Sequence, residues 1–166
     1  CLLSRGLGDV YKRQDMARLS IVQPSSVAHI VYNDLELINR EHVKKEAIRR
    51  HPGKWFSPRY GIGNLLKTTL LLPWSTFPGI LDTHMPQPYR RELFIQAWER
   101  WGGALDATSR HRTRNLADVS HWLIRYDMLV RGDFAPRAMG DCRLMTIADD
   151  TLPTICSDIR NRRYRM

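Results

Sequence analysis

A histidine and an arginine thirty positions apart, His84 and Arg114, lie in the two segments of this chain best equipped to act on an anion. His84 stands in Asp82-Thr83-His84-Met85-Pro86, followed by Tyr89-Arg90-Arg91-Glu92-Leu93. Arg114 stands in Asp106-Ala107-Thr108-Ser109-Arg110-His111-Arg112-Thr113-Arg114-Asn115, with Asp118-Val119 beyond it. An imidazole that titrates near neutrality can move a proton or contact an anion. A planar guanidinium makes two parallel hydrogen bonds to phosphate oxygens. In an extended loop, alternation points Arg110 and Arg112 the same way as Arg114, so the three can share one anionic field. Carboxylates follow at Asp149-Asp150 and precede at Asp34. Each feature also has a plainer use: a lone histidine is more often structural, an arginine-rich loop is usually a solvated surface, and an acidic residue often caps a turn.

In this order and at this interval, the two segments resemble the third conserved region of the Stealth family. Those enzymes move a sugar-1-phosphate from a nucleotide-sugar to a hydroxyl. The resemblance implies that His84 is the base on the acceptor hydroxyl or a direct phosphate contact. It also implies that Arg114 is the main phosphate ligand, with Arg110, Arg112 and Asn115 as substrate-binding neighbours. Ala148-Asp149-Asp150-Thr151-Leu152 resembles the family's fourth region, usually Asn-Asp after apolar residues, so Asp149 matches the catalytic aspartate and Asp150 stands next to it. Ile30-Val31-Tyr32-Asn33-Asp34 is similar to a family strand ending Asn-Asp-Asp, with Leu35 where the second aspartate falls. A magnesium or manganese ion would be held by one or two of Asp34, Asp149 and Asp150, together with phosphate oxygens and water. The family's first region has no counterpart here. The implied partners are a nucleotide-sugar donor and a polysaccharide or glycan hydroxyl acceptor, with no nucleic acid.

The first fourteen residues, ending Asp9-Val10-Tyr11-Lys12-Arg13-Gln14, read like a translated sequencing adapter, and position 1 is not Met. Residues 1–14 are therefore expected to be a scar that makes few core contacts, and residues 15–166 a partial transferase domain lacking its true N-terminus. Of the net charge of +9, the scar supplies +2 (Arg5, Lys12 and Arg13 against Asp9), leaving +7. Such a balance suits nucleic acid, anionic lipid or a phosphorylated small substrate. Cys142 and Cys156, the cysteines outside the scar, form neither a disulfide framework nor a zinc spacing, so a reducing, cytoplasmic setting is expected. The most apolar stretch, Leu70 to Trp74, is cut short by Pro73 and is no membrane span. Peripheral membrane contact stays open.

These residues need a scaffold. Val27 to Tyr32 is a short apolar run that predicts a buried strand. Glu41 to Arg50 predicts a helix stopped by Pro52-Gly53, and His51 to Gly63 an irregular loop. Asn64 to Leu72 predicts a short helix. The spacing of Leu93, Phe94, Ala97, Trp98 and Trp101 predicts an amphipathic helix over Arg90–Trp101, ended by Gly102-Gly103. A second helix is predicted from Leu116 to Leu129, with Val119, Leu123, Tyr126 and Val130 inward, then a turn at Arg131-Gly132-Asp133. Leu144 to Ile147 predicts a strand leading to Asp149. Alternating strands and amphipathic helices give an α/β fold, with α+β also open.

The two predicted helices should pack together with the Arg114 loop between them, and Trp98 buried. Trp98, Trp101 and Trp122 fall on helical stripes and suit the core. Trp55 and Trp74, in loops, are candidates for stacking on a sugar. Two other functions remain open: a glycosyltransferase that uses the same type of nucleotide-sugar, and, from another class, a basic nucleic-acid-binding domain suggested by pI and the arginine-rich tail. The nucleic-acid reading lacks a helix-turn-helix, zinc-finger or aromatic RNA-binding signature.

Overall fold

The computed structural model describes residues 14–82, 89–138 and 145–161. Residues 1–13 of the expected scar 1–14, His84, Leu144 and most of the arginine-rich tail lie outside the described residues, whereas Gln14, the last residue of that segment, pairs with Ala135. Where Val27–Tyr32 was expected to be a strand, the chain is helical: α1 spans Ala28–Glu41. A six-residue apolar run cannot by itself separate a buried strand from a helix turn. The wider spacing decides it, because Val31, Leu35 and Ile38 recur with helical period and all three are buried. A helix break at His42 separates α1 from α2, Lys44–Arg50, so the expected Glu41 start falls in the preceding helix.

The stretch expected to be irregular holds α3, Pro52–Trp55, and a 3-10 turn, Pro58–Tyr60, each with a proline in its first turn. Trp55 is fully buried there, against Phe77, and is not a free sugar platform. Next comes α4, Ile62–Leu70. The buried Lys44 ammonium donates to the carbonyls of Leu71 and Leu72 just past its end, at 2.8 and 3.1 Å. A cation on the terminal carbonyls complements the helix dipole.

Helix α5 runs Arg91–Arg110, straight through the glycine pair expected to end it. The backbone kinks at Trp101 (φ −121°, ψ 24°) and then resumes. Leu93, Ala97 and Trp101, one residue every four, form the buried stripe. Trp98 lies off that stripe and is 48% exposed, which corrects the expectation that it is core. The loop from 111 to 121 leads to α6, Trp122–Val130, so the helix expected from Leu116 starts only at Trp122. Asn115, Asp118 and Ser120 bond to nearby backbone in non-helical ways, which competes with helix formation.

Every residue from Leu123 to Val130 is buried. A helix without a wet face is a core helix, and α6 packs against α1, α2 and α5. Its two charged residues are paired. Asp127 meets Arg100 of α5 at 2.5 Å and His42 at 3.1 Å. Arg125 makes a two-pronged contact with Asp15, at 2.8 and 2.9 Å. Asp15 belongs to β1, Gln14–Asp15, which pairs in parallel with β2, Ala135–Pro136. An isolated antiparallel bridge joins Leu19 to Ile80. Residues 145–148 have no regular structure in place of the expected strand, and α7 follows at Leu152–Arg160.

Candidate active site

The Arg114 loop is held by side chains rather than by secondary structure. Inside it, the Asp118 carboxylate accepts from the Asn115 backbone N–H at 2.8 Å and meets His111 Nδ1 at 2.6 Å. Those two partners hold the Asp118 carboxyl below the usual carboxylate range. The Asn115 side-chain oxygen accepts from the Ala117 N–H at 3.1 Å, closing a local turn. At the loop's far end, Val119 N–H donates to Thr108 Oγ1 of α5 at 3.0 Å.

Helix α1 supplies the remaining anchors. Asn33 Nδ2 donates to the carbonyls of Leu116 and Asp118, both at 2.8 Å. Asp34 accepts from Ser120 N–H at 2.9 Å and from Ser120 Oγ at 2.6 Å. Asp34 is fully buried, and burial, with a smaller push from the charge of Asp82, raises its carboxyl to about 7. Its oxygens face Ser120 inside the fold. The carboxylate that the resemblance puts in the metal set is here a buried anchor of the loop.

Arg114 itself is exposed, and neither it nor Arg112 has a hydrogen bond or ion pair among the described residues. Asn115 is exposed beside it. Arg110 is partly engaged, pairing with Asp106 one helical turn back at 2.8 Å. So the four residues expected to bind substrate share one surface segment. Arg112 and Arg114 are the cations left open to an anion.

His84 lies outside the described residues, but Leu81 and Asp82, three and two positions before it, are held by α6. Arg125 Nη1 donates to the Leu81 carbonyl at 2.9 Å and to the Asp82 carboxylate at 3.1 Å. Tyr126 Oη donates to the same carboxylate at 2.9 Å. Burial, with the charge of Asp82 next, pushes the Tyr126 hydroxyl well above its ordinary pKa, so it stays a donor. The middle of α6 thus grips, through Arg125 and Tyr126, the residues that lead to His84. Ser120, just before α6, ties the Arg114 loop to Asp34.

Asp149 and Asp150 are exposed in the turn that opens α7. Thr151 ties that turn together, its Oγ donating to the Thr146 carbonyl at 2.7 Å and accepting from Ala148 N–H at 3.0 Å. Among the described residues, no hydrogen bond or ion pair joins either aspartate to the Arg114 loop, and no three His, Cys, Asp or Glu side chains cluster around a common point. Two adjacent exposed carboxylates are still a fitting donor set for magnesium or manganese, which take hard oxygen ligands and keep several waters. Of the aromatic candidates for sugar stacking, Trp74 is exposed in its loop, and Trp98 joins it on the surface of α5.

Sequence reasoning missed the supports: Asn33, Asp118, Ser120, Arg125 and Tyr126. One signal was present. Asp34 falls on the Val31, Leu35, Ile38 face of α1, and a carboxylate on an apolar face must find buried donors.

The profile of Stealth protein conserved region 3 matches residues 83–130, the segment that holds both His84 and the Arg114 loop. A capsular polysaccharide phosphotransferase of Streptococcus pneumoniae is 33% identical over 86% of this chain and 42% of its own length. An exopolysaccharide phosphotransferase of Lactiplantibacillus plantarum is 35% identical over 83% of this chain and 40% of its own length. A receptor polysaccharide phosphotransferase of Streptococcus gordonii is 31% identical over 64% of this chain and 32% of its own length. No solved structure matches. The chain belongs to the Stealth family. It spans less than half the length of these curated relatives. Among the described residues, no helix is long and apolar enough to cross a membrane.

Proposed function

We propose that the protein carrying this chain transfers a sugar-1-phosphate from a nucleotide-sugar to a hydroxyl of a surface or capsular polysaccharide. The observation that carries this reading is the Arg114 guanidinium, exposed and without a protein partner among the described residues, on an anchored loop inside the matched Stealth region. The relatives named as polysaccharide phosphotransferases support the same class of reaction.

In this reading, Arg114 pairs with two oxygens of the transferring phosphate and offsets the charge that builds up there. Arg112 and Arg110 add to the same field, and Asn115 offers an amide to the donor. His84 takes the proton of the acceptor hydroxyl or contacts the phosphate directly. Asp149, with Asp150 beside it, holds a magnesium or manganese ion, which when bound supplies further neutralisation of phosphate charge. Asp34 is left out of the metal set because its oxygens are committed to Ser120. The whole enzyme has an α/β fold, a reading to which the parallel β1–β2 pair lends support, because parallel neighbours need a crossover connection. It acts in the cytoplasm, peripheral to the membrane.

The test uses the complete protein with a panel of nucleoside-diphosphate sugars and a polysaccharide acceptor, following release of the nucleoside monophosphate. Transfer should stop in chelator, return with magnesium or manganese, and be lost in His84→Ala and Arg114→Ala. An enzyme that keeps transferring after His84→Ala, or works in chelator, would overturn the mechanism.

A further inference from the structure

Among the described hydrogen bonds, loop 111–121 is held from outside the matched region by two consecutive residues, Asn33 and Asp34, more than eighty positions away in sequence. We propose that Asn33 and Asp34 are positioning residues for phosphate transfer: together they fix the path of the loop that presents Arg114. This rests on the reading of Arg114 as the phosphate ligand.

The geometry supports a division of labour. Asn33 spends both donors of its amide on the carbonyls of Leu116 and Asp118, which straddle the middle of the loop. Asp34 takes both donors of Ser120, at the joint between loop and α6. Asp118, gripped through its carbonyl by Asn33, uses its carboxylate to fold Asn115 and His111 back on themselves. Arg114 sits between those two residues. Turning Asn33 therefore moves the Asp118 backbone, and with it the turn that sets where the guanidinium points.

A two-pronged phosphate contact tolerates errors of only about 0.5 Å, and a loop without helix or strand cannot hold that alone. Four hydrogen bonds from one rigid helix turn can. Such positioning acts on the transition state, so its loss should reduce kcat more than it raises KM for the donor.

Two near-isosteric changes test this in the complete enzyme. Asn33→Asp keeps the size of the side chain but replaces two donated hydrogen bonds with a carboxylate facing two carbonyls. Its kcat should fall about 10- to 100-fold while donor KM changes less than about threefold. Hydrogen exchange at 115–120 should accelerate, with α6 amides unchanged. Asp34→Asn keeps an acceptor for the Ser120 N–H and should retain most of kcat, whereas Asp34→Ala should behave like Asn33→Asp. An active wild-type enzyme whose Asn33→Asp variant keeps full kcat would overturn this proposal alone. So would a loss that merely tracks the fraction of folded protein. A wild-type protein with no sugar-phosphate transfer would instead overturn the parent reading, and this one with it.

Discussion

Asp34 and Ser120 meet through two hydrogen bonds onto one carboxylate, from the serine N–H at 2.9 Å and its hydroxyl at 2.6 Å. The pair joins α1 to the start of α6, and its carboxylate side, Asp34, is fully buried. Both donors favour the ionised carboxyl, yet burial outweighs them and lifts it to about 7.

That shift has a sign. The folded value lies above the unfolded one, so between about pH 4 and pH 7 the native state binds a proton that the unfolded chain has lost. Stability from this group is greatest below about pH 4, declines as pH rises, and reaches its floor above about pH 7. The size is at most about 4 kcal/mol for a three-unit shift. Asp34→Asn removes the titration while keeping an acceptor for Ser120. Urea unfolding at pH 5 and pH 8 should show the variant gaining on the wild type at the higher pH. Parallel pH profiles for the two proteins would rule the idea out.

A second expectation concerns Gly132, in the turn after α6. Its φ is +70°, and an added Cβ would lie 2.5 Å from the His51 ring. Both facts oppose a side chain: the backbone sits in the left-handed region, and the ring closes the space. Gly132→Ala should therefore cost about 1–3 kcal/mol, read as a lower urea midpoint at unchanged m-value. A midpoint within error of the wild type would mean the ring moves aside freely.

How much of this could be read from sequence differs by level. The two segments around His84 and Arg114 sufficed for the family, and the matched stretch, residues 83–130, contains both. The scaffold was harder. Helix α5 was visible because Leu93, Ala97 and Trp101 repeat every four residues, but its width was not. Trp98 stands one step off that row, and periodicity alone could not say that the stripe ends before it. The glycines at 102 and 103 looked like a stop, whereas the chain kinks at Trp101 and continues. Val27–Tyr32 was read as a strand because its apolar run is too short to show a period, and only Leu35 and Ile38 beyond it reveal the helix. Buried charges were least readable. The partners of Arg125 and Asp34 come from 110 and 86 positions away, and nothing local marks such pairs.

Arg125 gives the third expectation. It is fully buried and binds Asp15 with two hydrogen bonds while also holding Leu81 and Asp82, the approach to His84. Removing one partner of a buried pair leaves the other charge stranded, at a cost of about 3–5 kcal/mol. Arg125→Met should reach that range in urea unfolding. Arg125→Lys should recover little of it, because an ammonium cannot bridge both oxygens of Asp15 and still reach Leu81. Full recovery by lysine would show that charge alone, without the fork, holds this junction.

The last expectation separates chemistry from folding at Arg114. Its side chain is exposed and has no hydrogen bond or ion pair among the described residues, so the folded protein should be nearly indifferent to its loss. Surface changes of this kind usually move stability by less than about 0.5 kcal/mol. Transfer should respond quite differently. Removing a charged contact to a transferring group typically costs about 100- to 1000-fold in rate. Arg114→Lys should be almost as damaging as Arg114→Ala, because a lysine supplies the charge but not two parallel hydrogen bonds. Arg112→Ala, on the same exposed stretch, should cost far less if it contributes only to the general field. Unfolding curves for all three variants, run beside kcat and KM on the complete enzyme, make the comparison. If Arg114→Lys transfers at the wild-type rate, the guanidinium is not the two-pronged phosphate ligand. If all three variants lose activity in step with stability, the loop has a structural use and the phosphate lies elsewhere.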